Sequence, residues 1–361
     1  MLLSIITFLI VLGVIVFVHE IGHFYTAIKL GVGVEEFGFG FPPRIFGIRK
    51  KGILYSLNAI PLGGFVKIKG ESGESHDSDS FLSQPVWKRA IILFAGVFMN
   101  WIFAFLLITI GYFIGLPTII DSSDIKGANI RDEKVQVMYI YPDSQAYKNG
   151  FELGDYIISV DGKVFNKSAD LQSYLKENID NNFDFGVSRG EDNLNIKSDA
   201  SLIPDYSQDE KVLGFGIVDS AVVSYKWYRA PIEGLKTTAS VTYAIFDALY
   251  NVIKGIFQGK GSGDISGPVG VAVFTGKAVD RGFIYLLQFM ALLSLNLGVL
   301  NALPFPALDG GRLLFLFIEK IRGKKVNERI ENIIHNTGFS LLMILVVLVT
   351  YKDIIKFFFT K

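Results

Sequence analysis

The sequence predicts a multi-pass α-helical membrane protein with four transmembrane helices, a small membrane-associated β-structure and an inserted α+β domain. Three observations predict it. The apolar residues make up 50% of 361 positions, with a mean hydropathy of +0.39, and they come in blocks rather than evenly. Four blocks, roughly 2–29, 90–115, 283–304 and 339–360, are long enough to cross a hydrocarbon layer of about 30 Å. Between the second and third, the composition becomes that of a soluble chain, with short alternating stretches and turn residues. The formal net charge of +0 gives no footing for a nucleic-acid partner. There is no cysteine, so a disulfide framework and thiolate metal sites are excluded, and any metal has to be held by histidine and carboxylate.

The first block carries no charge from Leu2 to Val18 and then reads His19-Glu20-Ile21-Gly22-His23. Ionisable side chains in an apolar helix are costly, so they mark a functional site. Positions i and i+4 share a helix face, and both imidazoles can therefore address one metal ion. Glu20 is placed to reach a metal-bound water rather than the metal, which is the arrangement of a zinc hydrolase with glutamate as general base. The alternative is two satisfied core histidines beside an ion-paired glutamate. Only four histidines exist in the chain, and two fall here. The stretch is not expected to be a cleavable signal, because it lacks a basic leading region and a small-residue cleavage site before the motif.

Residues 31–70 read as strands. Gly31, Gly33, Gly38, Gly40 and Pro42-Pro43 break any helical pattern, and Phe65–Lys69 alternates apolar with basic. A helical substrate hides its peptide carbonyls in its own hydrogen bonds and must be unwound before hydrolysis. An exposed edge within 53–69, with Asn58 as the candidate contact, would accept it as an added strand; a plain structural hairpin is the alternative. Glu71–Ser80 reads as an acidic, serine-rich surface loop, and its His76 is not expected to be a ligand. Basic residues cluster in the loop 31–89, with Arg44, Arg49, Lys50 and Lys51 among them. They cluster again after the third block, from Arg312 to Arg329. Both loops are therefore expected in the cytoplasm, with the long insert and both termini outside.

Within the insert, strands are predicted at 135–141, 157–160 and 183–189, a tight hairpin at Asp161-Gly162, and a helix over Ser168–Glu177 with Ser168 as its N-cap. The order Tyr141-Pro-Asp-Ser-Gln-Ala146, then Gly150-Phe-Glu-Leu-Gly-Asp-Tyr-Ile-Ile-Ser-Val-Asp-Gly162, resembles a PDZ domain. That resemblance implies a groove for peptide C-termini or substrate outer domains, with Gly214-Phe-Gly-Ile217 as its carboxylate loop in the permuted bacterial arrangement. Further on, Leu235, Ala239, Ile245, Leu249, Val252, Ile253 and Ile256 recur on one face, interrupted by Lys236, Asp247 and Lys254. This predicts an amphipathic helix lying on the lipid bilayer. Gly259–Gly263 reads as a flexible break and Ser266–Gly270 as a rigid turn.

A catalytic zinc takes three protein ligands. The candidate third is Asp309, in Asn301-Ala-Leu-Pro-Phe-Pro-Ala-Leu-Asp-Gly-Gly-Arg312, where Pro304 and Pro306 stop the helix and Gly310-Gly311 permit a sharp path. The alternative makes Asp309 the N-cap of a helix over 312–321. Taken together, the His-Glu-x-x-His helix, the Asn-x-x-Pro-x-Pro-x-Leu-Asp-Gly-Gly segment and the PDZ-like insert resemble the site-2 protease family in its bacterial RseP-type branch. The resemblance covers essentially the whole chain. It implies Zn2+ on His19, His23 and Asp309, Glu20 as general base, Asn301 near the substrate backbone, and a substrate-clamping β-structure within Tyr55–Lys69. It also implies single-span membrane proteins as substrates, such as anti-sigma factors or signal-peptide remnants. The expected location is a bacterial plasma membrane, with the active site towards the cytoplasm and the PDZ domain outside. Two departures stand out: Val97 follows Gly96 where relatives often have proline, and there is one PDZ where some relatives carry two. The expected organisation is 1–116 (motif helix, β-structure, second span), 117–225 (PDZ and following strand), 226–282 (amphipathic helix and connector) and 283–361 (C-terminal membrane part). A metal transporter would also place His and Glu in a membrane helix; the PDZ-like insert and the Leu-Asp-Gly segment argue against it. The complete set of expected catalytic residues argues against an inert PDZ scaffold.

Overall fold

A charge-free run in lipid leaves backbone groups no partner but one another, and Leu2–Lys29 accordingly forms one unbroken helix. The computed structural model describes residues 2–71, 77–120, 127–142, 144–190, 192–203, 207–258 and 266–359. In chain order the elements are α1 (Leu2–Lys29), β1 (Val34–Lys50), β2 (Ile53–Ile68), α2 (Val86–Ile114), β3 (Leu116–Ile119), β4 (Asn129–Ile140), α3 (Gln145–Lys148), β5 (Tyr156–Val160), β6 (Lys163–Val164), α4 (Ser168–Glu177), β7 (Asn182–Arg189), β8 (Asp192–Asp199), β9 (Ser201–Ile203), β10 (Ser207–Val212), β11 (Phe215–Ser224), α5 (Ala230–Phe257), α6 (Pro268–Asp280), α7 (Phe283–Ala302), α8 (Asp309–Arg322) and α9 (Glu328–Ile354). The chain divides into two units: Met1–Thr109 with Pro231–Val279 and Leu286–Lys361, and Ile110–Ala230 with Asp280–Tyr285.

Among the described residues four helices, Leu3–Lys29, Val86–Ile114, Phe283–Ala302 and Arg329–Ile354, are long and apolar enough to cross a membrane. Two of them start earlier than hydropathy predicts. α2 takes in Lys88 and Arg89, and Arg89 pairs at 2.6 Å with Glu319 of α8 in a nearly buried contact. α9 begins at Glu328 instead of near 339, because Asn327 caps it by accepting the Arg329 amide and the charged residues that follow are sound helix formers. The turn predicted at 266–270 is the start of α6, with Pro268 at the first helical position, where a missing N–H costs nothing. Asp353 of α9 is buried and accepts the amides of Gly267 and Gly270 at 2.9 and 2.7 Å. His76 and Gly259–Gly263 lie outside the described residues.

β1 and β2 are long, bent strands that pair more than once. Glu36–Phe39 lies between two stretches of β2: Phe37 is opposite both Val66 and Tyr55, and Gly38 is opposite both Phe65 and Ser56. The stretch 54–57 is likewise flanked on its other side, by 46–49. The sheet thus runs 64–68, 34–41, 53–58, 44–50, and its two edges are 64–68 and 44–50. α1 packs against it through aromatic rings, Phe24 stacking on Phe37 at 4.4 Å and Phe17 lying 5.3 Å from the same ring.

The second unit holds a seven-stranded sheet in the order β3-β11-β4-β5-β7-β8, with β6 paired to β5, and β9 and β10 pair separately. Alternation puts Val135, Val137, Ile157, Val160, Phe183, Phe185 and Val187 in one core with Leu171 and Leu175 of α4. Asp161 and Gly162 take φ of 52° and 76° in the β5–β6 turn, as the Asp-Gly signal predicts. Ser168 is not the cap of α4. Lys167 holds that position, and the Ser168 amide donates to the Asp219 carboxylate at 2.5 Å. Asp155, fully buried, takes both arms of Arg189 at 2.7 and 2.8 Å. That carboxylate raises the Arg189 guanidinium above its ordinary value. A cavity of about 630 Å3 opens between α4 and the start of β11, walled by Leu175, Ile179, Leu213, Phe215 and Ile217 with Gln172 at its rim.

Candidate metal centre

α1 presents His19 and His23 on one face, both 6% exposed, with their Nε2 atoms 3.1 Å apart. α8 begins at Asp309 itself, with Leu308 as N-cap, so Asp309 does not cap that helix. Its Oδ2 lies 3.0 Å from His19 Nε2 and 3.3 Å from His23 Nε2. One proton bridges two atoms and cannot close such a triangle, whereas one cation serves all three. Ligands about 2.0–2.1 Å from a tetrahedral centre stand about 3.3 Å apart, close to the spacing seen. Asp309 Oδ2 is also buried without a hydrogen-bond donor of its own. Two imidazoles and a carboxylate that leave room for a water are a donor set suited to zinc, and among the described residues these are the three able to hold a metal together.

The supports come from α2. His23 Nδ1 donates to the Ile92 carbonyl at 2.8 Å, which turns Nε2 towards the cluster. His19 Nδ1 lies 3.2 Å from the side-chain Nδ2 of Asn100, a fully buried residue whose Oδ1 has no hydrogen-bond partner in this orientation of the amide. A metal on His19 Nε2 requires the proton on Nδ1, and that proton needs an acceptor. Turning the Asn100 amide over, an exchange of O and N, supplies it and satisfies the orphan oxygen at once. Gly96 passes so close that a Cβ there would collide with both imidazoles. The Gly96–Asn100 spacing was the available signal for these two positions, and no reading of chemistry from composition assigns them this work. Ser294 of α7 donates to the Asn100 carbonyl at 2.9 Å and ties the third span to this shoulder.

Glu20 faces the sheet: its Oε2 accepts the Val66 amide at 3.1 Å, and Val66 belongs to the 64–68 edge. A cavity of about 220 Å3 follows that edge, lined by Glu35, Phe65, Val66, Lys67 and Ile68. Glu71, at its end, is ion-paired with Arg312. Asn58 is elsewhere. It is 5% exposed in an interior stretch of the sheet, and its amide donates to the Gly40 carbonyl at 3.1 Å. The structure therefore corrects the expectation of an open edge at Asn58, because neighbouring stretches flank that segment on both sides. Asn301 is half-buried in the last turn of α7, before the Pro304–Pro306 break, and is not one of the converging ligands.

Comparison with known proteins bears on this geometry. The family model described as peptidase family M50 matches residues 7–345. A protein of Clostridium acetobutylicum named as a candidate zinc metalloprotease is 36% identical, with 95% of each chain covered. The regulator of sigma-W protease RasP of Bacillus subtilis is 30% identical over 98% of this chain and 99% of its own. The zinc metalloprotease RasP of Geobacillus kaustophilus is 28% identical over 98% of both.

Proposed function

This chain belongs to peptidase family M50, the site-2 protease family, as a zinc metalloprotease with its cofactor Zn2+, and on that premise we propose that it cuts transmembrane segments of single-span membrane proteins at His19, Glu20, His23 and Asp309. The observation that carries the proposal is the convergence of two imidazole nitrogens and one carboxylate oxygen, from elements far apart in sequence, beside a glutamate on the same helix. His19, His23 and Asp309 would hold the ion, which when bound would supply water activation and polarisation of the scissile carbonyl. The Glu20 carboxylate is the base, placed to take a proton from the attacking water and pass it to the leaving amine. The Ile92 carbonyl and the Asn100 amide fix the two rings. Asn301 donates a hydrogen bond to the substrate backbone.

The unwound substrate adds to the 64–68 edge, next to Glu20, through main-chain hydrogen bonds. Asn58 serves that edge from inside the sheet, by holding the Gly40 stretch in place. The insert is a PDZ domain whose groove between α4 and β11 takes peptide C-termini or substrate outer domains, with Gly214–Ile217 as carboxylate loop. The chain lies in a bacterial plasma membrane with its basic loops and active site towards the cytoplasm and the insert outside. RasP of Bacillus subtilis is named a regulator of sigma-W, which points to anti-sigma factors as a substrate class.

The test uses purified full-length protein carrying Glu20→Gln. Zinc at one equivalent, cleavage lowered by about 10²–10⁴-fold, and capture of an intact single-span membrane protein are the expected results. An empty Glu20→Gln protein would mean that Glu20 is a ligand and not the base.

A further inference from the structure

The segment that carries Asp309 has an unusual support. After α7 the chain folds into a tight turn, with the Phe305 amide on the Leu303 carbonyl at 2.7 Å and the Leu308 amide on the Phe305 carbonyl at 3.2 Å. Ala307 sits in this turn with φ of +81°, a left-handed conformation that a side chain disfavours and that persists only where surroundings impose it. The surroundings are on α9. The Ala307 amide donates to His335 Nδ1 at 2.9 Å. One turn on and on the same face, Gly338 lies so close to Pro306 that a Cβ would collide with its ring carbon and carbonyl. His335 accepts through Nδ1, so its proton is on Nε2, and that nitrogen is shielded without a partner. A ring that leaves a donor unsatisfied is a poor choice for stability and a reasonable one for holding a particular amide. The Phe315 ring, 5.5 Å away, fills the space beside it.

We infer that His335 is a positioning residue for the metal centre. By accepting the Ala307 amide it holds the left-handed turn that sets where Asp309 stands, so a span that supplies no ligand determines the third ligand's place. This rests on the reading of Asp309 as a zinc ligand, and the experiment separates the two.

Full-length protein is purified in detergent, stripped, and titrated with cobalt(II) against a competing chelator while the visible d–d spectrum is recorded. His335→Leu, which keeps bulk and removes the acceptor, is expected to lose about 10- to 100-fold in metal affinity, the range for supporting groups around a ligand. Its cobalt spectrum should shift towards that of Asp309→Ala, with unchanged helix content. His335→Asn, whose Oδ1 occupies the place of Nδ1, should recover most of the affinity. Ala307→Gly in the His335→Leu background should recover part, because glycine adopts the turn without being held. Gly338→Ala, which pushes Pro306 away and leaves His335 in place, should weaken binding in the same direction and carries the test should His335→Leu not fold. Wild-type affinity and spectrum in folded His335→Leu or Gly338→Ala overturn the inference while leaving Asp309 as ligand. So does a folded His335→Asn as weak as Asp309→Ala. Wild-type binding by Asp309→Ala overturns the ligand reading beneath it.

Discussion

The two halves of the proposed metal centre are built differently. His19 and His23 stand on an unbroken helix, where the backbone fixes their spacing and α2 needs only to come close and orient two rings. Asp309 stands at the end of a turn with two prolines, a left-handed alanine and two glycines, braced by a separate span. A helix registers its side chains by geometry common to all helices. A turn registers them by whatever surrounds it.

That contrast can be broken at several points. The largest effect is expected where the helical half is most tightly fitted: Gly96→Ala drives a methyl into both imidazoles and should leave protein without measurable zinc by metal analysis. Asp309→Ala should match it from the other half, and retained zinc in either would show that the halves do not meet in one site. Next comes Glu20→Gln, with zinc kept and turnover down by about 10²–10⁴-fold, the usual contribution of a general base. Asn100→Leu, which removes the proposed acceptor for His19, should weaken zinc about 10–100-fold in chelator competition. Unaltered affinity there would mean that the helix alone orients His19.

On the sheet, Val66→Pro should slow cleavage of a helical substrate about tenfold, the worth of about one backbone hydrogen bond. Ile48→Pro on the opposite edge should leave the rate near wild type, and equal losses from the two would remove the distinction between edges. The smallest effect belongs to the exposed Lys67–Glu35 pair at 2.8 Å, where Glu35→Gln should change stability by less than about 1 kcal/mol in a melting curve.

The same contrast explains what could be read before the fold was known. His19, Glu20 and His23 are legible because their spacing is itself helical geometry, and Asp309 because a carboxylate between prolines and glycines at an apolar depth has few other uses. Their supports are not legible. Asn100 is a lone polar residue in the apolar middle of α2 and His335 one of many polar residues at the start of α9, and nothing local states which ring or amide either meets. The sheet misled for a different reason. Asn58 lies in an alternating stretch that looks like an edge, yet β1 and β2 pair with each other more than once, and only long-range register shows the stretch enclosed. The early start of α9 was hidden because hydropathy finds the lipid-facing part of a helix and not the capped, charged turns before it.

The hydrogen bond from the Val66 amide to Glu20 carries a consequence for timing. One amide proton cannot fully serve two acceptors. A strand that joins the sheet at this amide must take it from the carboxylate, and the carboxylate is freed in the same exchange. On the proposed reading, the cleft without a guest is a safety catch: the base is engaged until the correct shape of chain, an extended one, arrives to release it.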